Sequence, residues 1–258
     1  MFSLTIYLEG LAGMLAAALL TWVVSVFKHN VAIVDSLWSL LLLLAAAIYA
    51  AAAPAPGPRA VLVLTLVAAW SLRLFAHITR RNWGHEEDRR YRAIRARNEP
   101  NFAFKSVYLV FVLQAGFAWL ISVPLLGAIS STGPLGALDL GGAALWLLGM
   151  VFEAGGEWQL ARFKADPGNR DRVMDRGLWR YTRHPNYFGD FCVWWGLYLI
   201  AVSAGAWWSL PGPLLMSVLL MRVSGVTLLE QDIGERRPGY ADYIRRTNAF
   251  FPGPTKPP

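Results

Sequence analysis

Asp175-Arg-Gly-Leu-Trp-Arg-Tyr-Thr-Arg-His-Pro-Asn-Tyr-Phe-Gly-Asp190 is a polar run rich in hydrogen-bond donors, and it passes directly into an apolar segment that begins at Phe191. Arginines, a histidine, aromatic rings and an asparagine at the mouth of a hydrophobic span suit an anionic cofactor held beside an apolar substrate. The plainer alternative is a basic juxtamembrane loop touching lipid phosphates. Such a loop needs charge but no fixed order, and Pro-Asn-Tyr-Phe-Gly is an ordered set.

Outward from this run, the composition is that of a membrane protein. Of the 258 residues, 55% are hydrophobic and 16% charged, whereas a soluble domain carries about 25% charged residues. The apolar residues also come in blocks longer than core helices need. The first block starts at the initiator methionine, with no basic residues before it and no small-residue cleavage site ahead of Lys28. It reads as a retained helix rather than a cleaved signal. Cys192, the one cysteine, excludes an internal disulfide, and His184 lacks a second His or Cys at helical spacing, so no metal site is expected. The net charge of +7 does not point to nucleic acid, because the basic residues fall between the apolar blocks.

Seven spans can be drawn, at roughly 5–27, 31–52, 60–80, 106–129, 140–160, 187–206 and 209–229, each near the ~20 residues that cross the hydrocarbon. Ala53-Pro-Ala-Pro-Gly-Pro58 separates the second span from the third, since proline lacks the amide proton and clashes with the preceding turn. Ser130-Ser-Thr-Gly-Pro134 separates the fourth from the fifth in the same way. The expected fold is all-α: a seven-helix transmembrane bundle forming a single domain over 1–258, with no Rossmann domain. Positive charge sets the orientation. The connection 80–105 carries eight Lys and Arg, while 53–59, 130–139 and 205–208 together hold only Arg59. Loops 80–105 and 161–186 and the tail 230–258 are therefore expected in the cytoplasm, with the N-terminus outside.

Ionisable groups inside spans are costly in lipid and are site candidates for that reason. Asp35 lies near the start of the second span, in Val-Asp-Ser-Leu-Trp-Ser. A carboxyl sunk in an apolar span favours the form that donates a hydrogen bond; partnership with Lys28 is the structural alternative. Arg73 sits mid-span, suited to pair with Asp35 or another buried acid. Glu153 and Glu157 are four apart and share one helical face. They bracket something that accepts two carboxylates, or else they are interfacial acids bridged by Arg162 and Lys164. In the loop from Arg80 to Arg95, mixed charges at helical spacing suit a solvated amphipathic helix, and the arginine forks suit a phosphate equally well. No glycine-rich dinucleotide fingerprint follows a strand, so a nucleotide would be bound by loops and helix ends.

Taken together, these motifs resemble the steroid 5α-reductase superfamily, in particular its bacterial branch, over nearly the whole chain. The resemblance is carried by Asp35 with Trp38, by Trp70-x-x-Arg73-Leu74, and by Glu87-Asp88-x-Arg90-Tyr91-x-x-x-Arg95. It continues through Glu153, Gln159 and Phe163 to Gly177-Leu178-Trp179-x-Tyr181-x-x-His184-Pro185-Asn186-Tyr187-Phe188-Gly189. The last motif is shared with related membrane methyltransferases and does not choose between the two. The Glu-Asp-x-Arg-Tyr loop together with it favours the reductases.

The resemblance implies a membrane enzyme, NADPH as cofactor, and reduction of the conjugated C=C bond of a 3-oxo-Δ4 steroid or similar lipid enone. It implies a bacterial inner-membrane protein, here expected to act as a monomer among membrane lipids. By motif, Glu153 and Glu157 match positions that hold the nicotinamide carboxamide, and Lys164 and Arg172 match basic positions near phosphate. Tyr181, Asn186 and Asp190 match cofactor-lining positions; Asp190 is one methylene shorter than the usual Glu. Arg73, Arg81, Trp83, Asp88, Arg90, Tyr91, Trp179, His184, Tyr187, Glu230 and Tyr240 complete the cofactor candidates, and Trp38 is the substrate candidate. Asp35 resembles the buried carboxyl that addresses the substrate ketone. Trp70 takes the place of the tyrosine that assists it, although an indole donates a hydrogen bond without usefully supplying a proton. The runner-up is an S-adenosylmethionine-dependent methyltransferase, kept open by the Arg-His-Pro-x-Tyr motif and by Glu230, Tyr240 and Tyr243. A lipid-binding or scaffolding protein would leave Asp35, Arg73 and the paired glutamates without a role.

Overall fold

The structure is a computed structural model that describes residues 2–53, 55–223, 225, 226, 230 and 239–256. It is helical throughout, with no strand among the described residues. Among the described residues five helices are long and apolar enough to cross a membrane: α1 (Leu4–Lys28), α2 (Ile33–Ala52), α3 (Pro58–Asn82), α5 (Phe102–Ile121) and α7 (Ala137–Ala165). Between them lie α4 (Arg89–Asn98) and α6 (Val123–Ile129); α8 (Pro185–Ser203), α9 (Pro211–Val218) and α10 (Tyr240–Arg246) follow. The large apolar side chains exposed along α1, among them Leu20 at 70% and Phe27 at 82%, are what a lipid-facing surface requires. The chain is a membrane protein.

Seven spans were expected, and five meet this requirement among the described residues. The sixth expected span is α8, which has 19 residues and whose first two turns carry Asn186 and Asp190. Polar groups there lower its apolar character. The seventh corresponds to α9 and a π-helical continuation, Leu219–Val223, and its end at 227–229 lies outside the described residues. The fourth expected span is broken. It runs helically to Ile121, turns at Ser122, and restarts as α6 with Pro124 in its first turn. A proline without an amide proton fits that restart. The proline-rich linker behaves as read: α2 stops at Ala52 and α3 starts at Pro58.

By its contacts the chain divides into two compact units, Met1–Gly136 with Ile200–Gly212, and Ala137–Leu199 with Pro213–Pro258. In the first unit, Tyr7 and Trp119 stack at 4.3 Å, and each side chain donates to the other's backbone carbonyl, at 3.0 and 2.8 Å. Ser39 and Ser71 likewise exchange hydrogen bonds with each other's carbonyls, at 3.0 and 2.7 Å, fastening α2 to α3. Arg59 is buried, donating to the Ser131 hydroxyl at 2.6 Å and the Pro134 carbonyl at 2.7 Å. The one cation expected on the outer side therefore serves to hold the 130–134 turn.

The second unit is built on close backbone approach. Gly142, Gly149 and Gly156 recur every seven residues along α7, and Gly189 and Gly196 do so along α8. A Cβ added at Gly149 would lie 2.5 Å from the Gly189 carbonyl oxygen, and one at Gly196 would lie 2.6 Å from that of Gly142. In lipid, where helices gain nothing by hiding apolar surface, small residues allow the van der Waals contact that holds them together. This seam fixes the start of α8, and with it the His-Pro-Asn-Tyr turn.

Candidate functional site

Each unit gathers its own set of polar residues. In the first unit the set forms where α4 docks on the start of α2. Glu87 is buried and accepts at 2.9 Å from the amide of Val31, the residue just ahead of the α2 N-cap Ala32. Arg95 grips the same carboxylate through two nitrogens, at 2.9 and 2.8 Å. Burial alone would raise the Glu87 carboxyl, but the Arg95 and Val31 hydrogen bonds outweigh it and hold it below the ordinary carboxylate range. Asp88 caps α4, accepting from the Arg90 amide at 2.9 Å and from Arg90 Nε at 3.0 Å.

That clamp delivers Arg90 and Tyr91 to Asp35, one turn into α2. The Tyr91 hydroxyl donates to Asp35 Oδ1 at 2.5 Å, and an Arg90 terminal nitrogen donates to Oδ2 at 2.8 Å. Gln114 of α5 donates to the Tyr91 oxygen at 3.1 Å, fixing the rotation of the phenol. Burial, and then the neighbouring Asp35 charge, push the Tyr91 phenol well above its usual range. In this cluster the Tyr91 hydroxyl stands as a donor beside Asp35.

Trp70, expected beside Asp35 as its partner, is fully buried on α3, while Trp38 and Arg73 are half-buried. Of the residues read as phosphate-gripping, Arg90 is engaged with Asp35 and Asp88. Arg81 is exposed and donates to Asn82, and Trp83 is 77% exposed. The loop is thus mainly an internally paired helix, anchored by its two buried side chains, Glu87 and Tyr91.

In the second unit, α7 carries Glu153, buried, and Glu157, half-buried, one turn apart. Gln159 accepts from the Leu178 amide at 2.9 Å, and Trp179 donates from its indole to the Gly156 carbonyl at 2.9 Å. Between them Gly177 has a φ of +57°, a conformation that suits glycine, and an added Cβ would lie 2.6 Å from the Gln159 side-chain oxygen. Next, Arg183 binds Glu230 through Nε at 2.7 Å and a terminal nitrogen at 2.9 Å. It also donates to the Thr247 carbonyl at 2.5 Å. His184 Nε2 lies 2.9 Å from Glu230 Oε1, and the Tyr240 hydroxyl donates to the same oxygen at 3.4 Å. The His184 ring stacks on Tyr187 at 5.6 Å. Burial would raise the Glu230 carboxyl, but His184 and Arg183 pull it down to about 2. Burial and the Glu230 charge push the Tyr240 phenol up to about 12.

His184, Tyr187, Glu230 and Tyr240 are therefore gathered as a group. Asn186 and Asp190 lie in the first two turns of α8, half-buried and buried respectively, whereas Lys164, Arg172 and Tyr181 are exposed. Glu87, Arg95 and Gln159 entered only through the motifs of the resemblance, and Arg183, Tyr243 and Gln114 were also not among the selected candidates. Arg183 was overlooked inside a motif already quoted, because a single arginine among several carries no mark of which one is buried. Tyr243, which donates to the Trp179 carbonyl at 2.5 Å, entered only with the runner-up reading. Gln114 did have a signal: it is a lone amide in an apolar span.

Comparison with known proteins gives a family and no more. The model of the family described as "Protein of unknown function (DUF1295)" matches residues 21–247, and the chain belongs to that family. An uncharacterized protein of Schizosaccharomyces pombe (strain 972) is 24% identical, over 90% of this chain and 75% of its own length. No solved structure matches the chain.

Proposed function

We propose that this member of the DUF1295 family is an NADPH-dependent membrane reductase. It would saturate the conjugated C=C bond of a lipid enone, such as a 3-oxo-Δ4 steroid. The observation that carries the reading is the Asp35–Tyr91 pair. A proton-bearing hydroxyl, locked by Gln114 and backed by a carboxylate and a guanidinium, is an apt device for taking up negative charge on a ketone oxygen. The resemblance of the motifs to the steroid 5α-reductase superfamily supports it.

In this reading a ketone oxygen replaces Asp35 as the acceptor of the Tyr91 hydroxyl. Arg90 stays on Asp35 and keeps the carboxylate in place. NADPH, when bound, supplies the hydride to the β-carbon. As charge moves to the ketone oxygen, the Tyr91 hydroxyl donates to it, and a proton from solvent water then completes the bond at the α-carbon. By the resemblance of the motifs, nucleotide binding is assigned to Glu153, Glu157, Lys164, Arg172, Tyr181, Asn186 and Asp190. Support comes from the guanidinium groups: Arg172 lines a cleft of ≈ 330 Å³ with Arg176 and Arg246, facing the carboxylates of Asp171, Asp175 and Asp242, within the size range of small-molecule sites. The loops 80–105 and 161–186 and the tail would face the cytoplasm of a bacterial inner membrane.

A second reading, methyl transfer from S-adenosylmethionine, is favoured by one observation. Glu230 is fixed by Arg183, His184 and Tyr240 next to the Pro-Asn-Tyr turn, and a fixed carboxylate suits a cationic cofactor. Purification in detergent, followed by spectral and mass analysis of bound cofactor, separates the two. NADP(H) together with loss of the enone absorbance of progesterone or testosterone supports the reductase. Bound S-adenosylmethionine, with no NADPH consumption, would sink it.

A further inference from the structure

The second unit holds a cation-lined cleft that neither of these readings uses in full. One wall is the turn from Asp175 to Arg180; the other is α10 with Thr247, Thr255 and Lys256. Its volume is ≈ 690 Å³, ample for a small ligand or headgroup. Arg176, Arg180, Arg246 and Lys256 border the same space. Among the described lining residues they face a single acid, Asp175, whose carboxylate lies 3.7 Å from Arg246. None of these four cations was selected from the sequence.

The walls are tied together, so the backbone segments that carry these cations are fixed relative to one another. Tyr243 of α10 donates to the Trp179 carbonyl at 2.5 Å, and the Gly253 amide donates to that of Tyr181 at 3.1 Å. The Lys256 amide donates to the Arg246 carbonyl at 2.9 Å, bringing the end of the tail back to α10. Four like charges around one cleft, offset by the single carboxylate of Asp175, repel one another, and a bound anion relieves that repulsion. Three planar guanidinium forks with a lysine suit a phosphate, whose several oxygens can take paired donors. Thr247 and Thr255 add hydroxyls to the same wall.

We infer that this cleft binds a phosphate group, from either a nucleotide or an anionic phospholipid headgroup. The nucleotide arm rests on the reductase reading; the lipid arm does not. Asp175 competes with the ligand for Arg246. Removing its charge therefore improves binding, an effect that damage to the fold would not produce.

The test uses full-length protein. It is titrated with NADP⁺ in phosphatidylcholine nanodiscs by calorimetry, and with phosphatidylglycerol in detergent by native mass spectrometry. At least one ligand is expected to bind, with affinity falling about tenfold for each guanidinium removed in R180Q and R246Q and rising severalfold in D175N. If NADP⁺ alone responds, the phosphate is the nucleotide's; if phosphatidylglycerol alone responds, it is the lipid's. NADP⁺ binding untouched by all three substitutions, with phosphatidylglycerol equally indifferent, overturns the cleft but leaves the reductase reading standing. Cleft-dependent lipid binding without any NADP⁺ binding does the reverse. Should R180Q or R246Q fail to fold, D175N decides alone: unchanged or weaker binding of both ligands overturns the assignment.

Discussion

Arg183 reaches Glu230 across 47 positions of sequence and binds both carboxylate oxygens, at 2.7 and 2.9 Å, from a side chain that is 8% exposed. It also holds the Thr247 carbonyl. One guanidinium thus ties the His-Pro-Asn-Tyr turn to the segment after the last apolar run.

Breaking that pair leaves a buried guanidinium without its counter-charge. Glu230→Gln is expected to destabilise the protein by about 3 kcal/mol, seen as a lower melting temperature in detergent. The loss should also depend on pH. The Glu230 carboxyl sits at about 2 in the folded protein, against an ordinary value of 4.5. Its contribution is complete above the ordinary value and fades as pH falls from there towards about 2. Wild type and Glu230→Gln should therefore converge in melting temperature between pH 5 and pH 3. A gap that stays constant over that range would show that the carboxylate is not the source of the effect.

Tyr91→Phe removes the proton beside Asp35 and preserves the ring. On the reductase reading it lowers turnover by about 10²-fold or more and leaves NADPH binding within a factor of two or so. Asp35→Ala should do the same, and Trp70→Phe should leave turnover largely intact. Steady-state rates and a cofactor titration on the same preparations distinguish these outcomes. If Trp70→Phe were the most damaging of the three, the donor would be reassigned to the indole.

Asn186→Ala and Arg172→Ala are expected to weaken NADPH binding by about tenfold each, with the enone-binding step unaffected. Fluorescence titration of the purified variants checks this. Unchanged affinity removes both from the nucleotide site.

The docking of α4 can be read by hydrogen exchange. Arg95→Ala leaves Glu87 without its two guanidinium bonds and should speed exchange at the amides of Val31 and Tyr91 by about tenfold. Amides in α7 should keep their wild-type rates. A uniform increase over the whole chain would mean global destabilisation instead.

The seam of the second unit gives a paired test. Gly149→Ala puts a Cβ 2.5 Å from the Gly189 carbonyl oxygen, whereas Gly141→Ala meets nothing within 4 Å. The first is expected to cost about 2 kcal/mol or more by forcing α7 and α8 apart. The second should be neutral or stabilising by up to about 1 kcal/mol, as alanine suits a helix better than glycine. Equal melting temperatures for the two would refute the close approach.

What the sequence by itself determined is whatever depends on local chemistry and composition. Long apolar blocks require helices in lipid, where backbone groups must be satisfied within each segment. The linker 53–58 had to stop α2, because its prolines cannot extend a helix. The aspartate at position 35 and the His-Pro-Asn-Tyr turn announced themselves as polar groups at costly places. Which partner each would meet was decided only by tertiary structure. The resemblance put Trp70 at the place of the tyrosine that assists Asp35. Folding brings Tyr91 to Asp35 from 56 positions away, because Glu87 ties to the Val31 amide ahead of α2 and brings α4 down on it. The arginines of loop 80–97 look alike in sequence, and only folding separates Arg90 and Arg95, which are spent on internal carboxylates. The cleft of Arg176, Arg180, Arg246 and Lys256 could not be read from a sequence for the same reason. Long-range charge convergence depends on how the tail returns over the turn, and no local propensity encodes that.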